Sequence, residues 1–176
     1  MEEELITAPT ASISVKNHLY YKMQIKNLKL NNFRNRSSLE IDFDDHINII
    51  IGPNAVGKTN ILEAIYLLCT TKSFKAHYDR DMIKHGSKFA RVDGIAVSDN
   101  EEIKLELVIN LNSVRENVAL KKVKVNKVSK TLQTFSGNLN GTLFTPEDID
   151  NLTGSPSERR KYMDFILFQT DREYKN

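Results

Sequence analysis

Tryptophan is absent, cysteine occurs once and proline only four times in 176 residues, and such shortages exclude whole classes of protein. With Cys69 alone no intramolecular disulfide can form, so the chain is not a disulfide-stapled scaffold. Cys69 falls in an apolar stretch and reads as a small core residue. The four histidines are scattered, and His46 has no metal-ligand spacing around it. No run approaches the ~18 apolar residues of a membrane span, and the N-terminus lacks the basic start and apolar core of a secretory signal. No membrane association and a cytoplasmic location are expected. A strong excess of basic or acidic residues is lacking as well. The net charge is +2, or about +3 without the first 22 residues, so any nucleic-acid surface must come from local clustering. Length and an apolar content of 40% allow one sizeable core and at most two small domains.

What is present is concentrated in eight residues. Gly52-Pro53-Asn54-Ala55-Val56-Gly57-Lys58-Thr59 spells G-x-x-x-x-G-K-T, the phosphate-binding P-loop pattern. Ile47-Asn48-Ile49-Ile50-Ile51 leads in and reads as a short buried strand. Asn60 to Leu68 leads out with apolar residues at helical spacing. Strand, glycine-rich turn and helix is the setting that gives the pattern chemical meaning. Gly52 and Gly57 permit main-chain angles and close approach that a Cβ would obstruct. The N–H groups between them can converge on phosphate oxygens, helped by the positive end of the helix. Lys58 is expected on the β- and γ-phosphates and the Thr59 hydroxyl on Mg²⁺. A chance glycine turn before an ordinary helix is the bland alternative, and the two correct flanks weigh against it.

Along the chain, Met1 to Lys22 stands apart. Thr7-Ala8-Pro9-Thr10-Ala11-Ser12 is small and polar, and no period runs through the segment. It reads as a disordered leader, with a docking tail as the alternative. Gln24 to Leu30 is strand-like, and Leu39, Ile41 and Phe43 alternate with Glu40, Asp42 and Asp44 as a half-buried strand. Lys72 to Ser87 reads as a polar loop with a short helix. Ile103 to Leu111 alternates cleanly, and Val114 to Val128 holds one or two further strands. Strands joined by turns rather than helices predict an antiparallel sheet beside the nucleotide site. Thr145-Pro146-Glu147-Asp148 reads as an N-cap, a proline at the first helical position and two acids at the positive end. Ser155-Pro156-Ser157-Glu158 repeats the signal as a capping box, with Tyr162, Phe165 and Ile166 as the apolar face.

The second half of an ATPase is missing from the pattern. A Walker B strand should end several apolar residues with an acid that holds Mg²⁺. Val108-Ile109 ends instead in Asn110, and Glu147-Asp148 follows Pro146. Leu152-Thr153-Gly154-Ser155 does not match a cassette signature. No catalytic residue is assigned in this chain.

At this point the residues resemble a family. Leu30-Asn31-Asn32-Phe33-Arg34-Asn35 is similar to the start of ATPase heads in the SMC, Rad50 and RecF group. The string from Gly52 to Leu68 resembles the RecF family, as do Ser73-Phe74, Leu143-Phe144-Thr145-Pro146-Glu147-Asp148 and Gly154-Ser155-Pro156-Ser157-Glu158-Arg159-Arg160, in the right order. The resemblance runs from about Met23 to the last residue. It implies an α/β P-loop fold, lobe I of an ABC-type ATPase head with an antiparallel β-subdomain and the start of a helical lobe II, truncated. The expected division is a leader at 1–22, an ATP-binding lobe at 23–143 and the start of the helical lobe at 144–176. It further implies ATP and Mg²⁺ as cofactors, ATP-driven homodimerisation and double-stranded DNA and single-strand gaps as targets. A RecR-like mediator is the implied partner. Gly52, Pro53, Asn54, Ala55, Val56, Gly57, Lys58 and Thr59 should wrap the phosphates. Arg34 is expected to approach phosphate and Asn35 the base side, with a solvated strand-end loop as their alternative. Asn60 caps or touches the site. The glutamine-type loop of the family has no clear match at Gln133 or Gln169.

Two basic clusters are DNA candidates. Lys121, Lys122 and Lys124, with Lys127 and Lys130, lie along one strand-rich stretch, and Arg159, Arg160 and Lys161 sit inside a helix start. A solvated strand face competes for the first cluster, and ion pairs or an interface compete for the second. Among rival classes, an SMC or Rad50 head should lead into a long heptad coiled coil, which is not found. A P-loop kinase or GTPase should show parallel βαβ alternation. A non-catalytic, nucleotide-regulated DNA clamp remains a third reading.

Overall fold

Alternation of apolar and polar residues, more than any helical signal, organises this chain. The computed structural model describes residues 23–112 and 118–146, together with 148, 156, 157, 160 and 163. Six strands form one antiparallel sheet: β1 (Gln24–Phe33), β2 (Arg36–Asp42), β3 (Phe89–Ser98), β4 (Glu101–Leu111), β5 (Ala119–Val125) and β6 (Val128–Lys130). Their order is β2-β1-β3-β4-β5-β6. The β3–β4 and β5–β6 hairpins turn at Asp99–Asn100 and Asn126–Lys127, each pair with both φ angles between 49° and 68°. These primed turns match the right-handed twist of their strands.

One face of the sheet is the core. Leu28, Leu30, Val92, Leu105, Leu107, Ile109 and Val123 project there and are buried. Helix α1 (Lys58–Thr70) crosses β1, β3 and β4 on this face, and the single turn α2 (Leu132–Phe135) packs on β5. A 3₁₀ turn at Asp79–Met82 fills the space beside β4 and β5. The other face is polar.

Strand β3 was not expected from sequence. Its inward residues are Ala90, Val92, Gly94 and Ala96, so the apolar alternation is faint. They are small because α1 lies close: a Cβ on Gly94 would fall 2.5 Å from Leu68 Cδ1.

The lead-in segment differs from expectation too. Ile47 to Ile51 pairs with no strand among the described residues. Ile47, Ile49 and Ile51 are 82%, 79% and 85% exposed, and only Ile50 turns toward the core. A buried strand needs neighbours on its edges and cover on both faces, and among the described residues no edge is paired and only the Ile50 side is covered.

At Thr145 the cap forms as the residue types dictate. The Asp148 carboxylate accepts hydrogen bonds from the Thr145 N–H (2.6 Å) and hydroxyl (2.9 Å). The capping box at Ser155, the apolar face of Tyr162, Phe165 and Ile166, and the leader at 1–22 lie outside the described residues. Among those described, no helix is long and apolar enough to cross a membrane.

Candidate nucleotide site and basic face

Helix α1 begins at Lys58 with Gly57 as its N-cap, at φ 100° and ψ 22°, and no side chain caps it. No acid lies in its first turn. The Asn60 N–H turns back onto the Gly57 carbonyl (3.1 Å), and the N–H groups ahead of it and the positive helix end are left to an external acceptor. Lys58 Nζ donates to the carbonyls of Gly52 (2.7 Å) and Pro53 (2.8 Å), so its ammonium lies inside the loop. Thr59 is exposed at the second helical position.

A two-residue hairpin tip braces the loop from the side. β1 and β2 join at Arg34–Asn35, with Phe33 opposite Arg36 and Arg34 at φ 54°. The Asn35 amide donates to the Ala55 carbonyl (3.3 Å) and accepts from buried Asn60 (2.9 Å). Arg36 Nη2 donates to the Val56 carbonyl (2.6 Å), while its Nε is buried without a partner among the described residues. Between hairpin and loop opens a cleft of about 680 Å³. It is lined by Arg34, Asn35, Asn54, Ala55, Gly57, Lys58, Thr59 and Asn60, and by Lys75, Asp81, Ile83 and His85 opposite.

Arg34 lines this cleft, but most of its guanidinium is committed elsewhere. Nε and Nη2 form a two-pronged bridge to Glu63 of α1 (2.8 and 2.5 Å), and Nη1 donates to the Asp81 carbonyl (2.8 Å). Glu63 is fully buried and also accepts a short hydrogen bond from Ser73, whose Oγ takes the N–H groups of Lys75 (2.9 Å) and Ala76 (2.7 Å). The Arg34–Glu63–Ser73 chain thereby fixes the loop that carries Lys75 to the cleft. Sequence reasoning missed Glu63, Arg36, Lys75, Asp81 and His85. Only Ser73, through its place in a family-like block, gave a signal.

The structure separates the three lysines of the first basic cluster. Lys121 points to the core side, its side chain 8% exposed, and binds Asp79 (2.5 Å) and the Thr71 carbonyl (2.7 Å). It ties β5 to the 3₁₀ turn and is withdrawn from the DNA candidates, because its charge is buried and paired. Lys122 and Lys124 stand exposed on the polar face. Four acids there are paired with other cations, Glu40 with Lys29, Asp93 and Glu106 with Arg91, and Glu102 with Lys104, while Asp42 accepts a hydrogen bond from the Asn27 amide (2.7 Å). A shallow groove of about 350 Å³ runs past Arg91, Lys122, Lys124, Ser129 and Lys130. Arg160 is exposed, and Arg159 lies outside the described residues. No group of His, Cys, Asp and Glu able to hold a metal occurs among the described residues.

A P-loop at the head of a helix, laid on an antiparallel sheet and braced by a β-hairpin, defines the ATP-binding lobe of an ABC-type ATPase head. Residues 23–176 match the AAA ATPase domain family, and the chain belongs to it. Within that family the chain is RecF-like. It is 42% identical over 153 residues to the DNA replication and repair protein RecF of Lactobacillus gasseri, covering 86% of this chain and 39% of that protein. It is 41% identical over 152 residues to the RecF of Agathobacter rectalis, covering 86% and 41%. A solved structure of the recombination mediator protein RecF-ATP in the RecFOR pathway superposes with a TM-score of 0.78 at 34% identity, covering 90% of this chain and 42% of that one. The SMC head domain from Thermotoga maritima follows at 0.51 and 25% identity, covering 63% and 40%. The chain thus spans about two-fifths of the length of the curated relatives it matches.

Proposed function

We propose that this chain is the ATP-binding part of a RecF-like DNA repair and replication protein, holding ATP with Mg²⁺ between the P-loop and the Arg34–Asn35 hairpin. The carrying observation is the uncapped, acid-free N-terminus of α1 behind the Gly52–Gly57 turn, a cradle for phosphate set in a RecF-like fold. The donor set fits the cofactor: free main-chain N–H groups, the Lys58 ammonium and an exposed Thr59 hydroxyl. When bound, Mg²⁺ would supply charge neutralisation at the phosphates, with Thr59 as its protein ligand. Lys58 would leave the Gly52 and Pro53 carbonyls for phosphate oxygens. Asn35 and Asn60 act here by bracing the loop, and Lys75 faces the same cleft as a further cation.

The wider role extends the names of the relatives to this chain. Nucleotide-dependent dimerisation, contact with duplex or gapped DNA through Lys122 and Lys124, and a RecR-like mediator complete the reading. Turnover is assigned to groups outside the site described. Calorimetric titration with ATP is the test. Lys58→Ala is expected to lower affinity at least ~100-fold, and Thr59→Ala to remove only the Mg²⁺-dependent part. Equal affinity in the wild type and Lys58→Ala would sink the assignment.

A further inference from the structure

We infer that Lys121 is a positioning residue for the nucleotide site, the clasp that closes the root of the loop carrying Lys75 into the cleft. Its effect on affinity rests on the ATP reading above; the clasp does not. Along β5 the inward positions are Ala119, Lys121, Val123 and Val125, so a lysine stands where the alternation calls for an apolar residue. Burying an ammonium is costly even when it is paired, and a methionine would fill the same space without that cost. A local break in pattern of this kind marks a residue with a task beyond packing.

The task is visible in its partners. The Lys121 ammonium donates to the Thr71 carbonyl (2.7 Å) and pairs with the Asp79 carboxylate (2.5 Å), so one charge joins the two ends of the stretch 72–78. Thr71 closes α1 at φ 61°, a conformation that a β-branched residue keeps only when its surroundings hold it. Inside the loop, Ser73 is tied to Glu63, and the Phe74 ring stands edge-on to Tyr66, with centroids 5.5 Å apart. Lys75 follows at once, exposed and lining the cleft. Among the described residues no side chain pairs with its ammonium, so the loop backbone sets its position. A loop ordered in advance loses less entropy when its cation meets phosphate. Lys121 therefore acts on the nucleotide without touching it.

Calorimetric titration with ATP and amide exchange across 72–78, both on the full chain, test this. Lys75→Met is expected to lower ATP affinity ~tenfold, the loss of one charge-assisted contact. Lys121→Met should speed exchange across 72–78 at least ~tenfold and lower ATP affinity by a similar factor, and Lys121→Arg should restore both. The double variant should bind ATP no more weakly than Lys75→Met alone, because one residue acts through the other. Asp79→Asn, at a carboxylate 40% exposed, should repeat the Lys121→Met pattern in weaker form, and it carries the test if Lys121→Met does not fold. Additive losses in the double variant would overturn the positioning role and leave Lys121 a general stabiliser. Unchanged exchange would overturn the clasp, and unchanged ATP affinity in Lys121→Met would overturn its link to the site. A wild type that binds no ATP would refute the nucleotide reading, and the positioning role with it, while exchange would still decide the clasp.

Discussion

Gly57 works under two constraints at once. Its φ of 100° strains any side-chain-bearing residue, and a Cβ there would fall 2.9 Å from Asn35 Oδ1. Gly57→Ala is expected to push Asn35 off the loop, lowering ATP affinity at least ~tenfold and stability by about 1–2 kcal/mol. Calorimetric titration and a thermal melt read the two effects separately. Glu63 carries a different burden. It is fully buried and the Arg34 side chain is only 17% exposed, so Glu63→Ala leaves a guanidinium unpaired and should cost about 3 kcal/mol or more. A lowered urea midpoint checks this, with a smaller loss expected for Glu63→Gln; an unchanged midpoint in the alanine variant would refute the bridge. The two residues also show what a sequence discloses. Lys58 and Thr59 are legible because the motif itself encodes the main-chain geometry that employs them. Glu63 is not, because an acid in an amphipathic helix reads as solvent-facing, and its partners lie 29 and 10 residues away.

Among the elements, α1 and β3 depend on a single close approach. Gly94→Ala would drive a methyl into Leu68, and a cost of about 1–3 kcal/mol is expected from the displaced helix, read from the denaturation midpoint. The same proximity hid β3, since small inward residues give periodicity too little contrast. β4 shows the opposite case: Leu105, Leu107 and Ile109 alternate with polar neighbours and left no ambiguity. The segment 47–51 is the instructive middle. Its composition shows that a strand is meant to be covered and is silent on what covers it. Cys69, near the end of α1, adds a pH test. Burial pushes its thiol from 9.0 up to about 12. The folded value lies above the unfolded one, so this contribution is complete below pH 9 and is lost as pH rises toward 12, by up to ~1.4 kcal/mol per unit. The stability gap between wild type and Cys69→Ala should therefore hold steady from pH 6 to 8 and narrow above 9.

Across the whole molecule, charge is divided between the two faces of one sheet. Lys122→Glu with Lys124→Glu should weaken binding to duplex DNA and reduce the slope of log affinity against log salt by about 2, with the melting temperature unchanged. Lys121→Glu should do the reverse, lowering the melting temperature through the lost Asp79 bridge. A salt slope equal to wild type in the double variant would remove DNA from the polar face. The antiparallel sheet and the helix behind the P-loop were legible because each is written in local periodicity. The division of the lysines was not, because it depends on which face of β5 meets the 3₁₀ turn. Strand order carries a last consequence, for the path of folding. β1 pairs with both β2 and β3, so the phosphate loop, α1 and the cleft wall opposite the Arg34–Asn35 hairpin lie in one excursion, between Asp42 and Phe89, whose two ends close on the same strand. The β3–β4 and β5–β6 hairpins, with two-residue turns, form on local contacts within ~1–10 μs, whereas the excursion must wait for β1 to find β3. Substitutions in the hairpins should then slow folding, and those in the excursion should chiefly hasten unfolding.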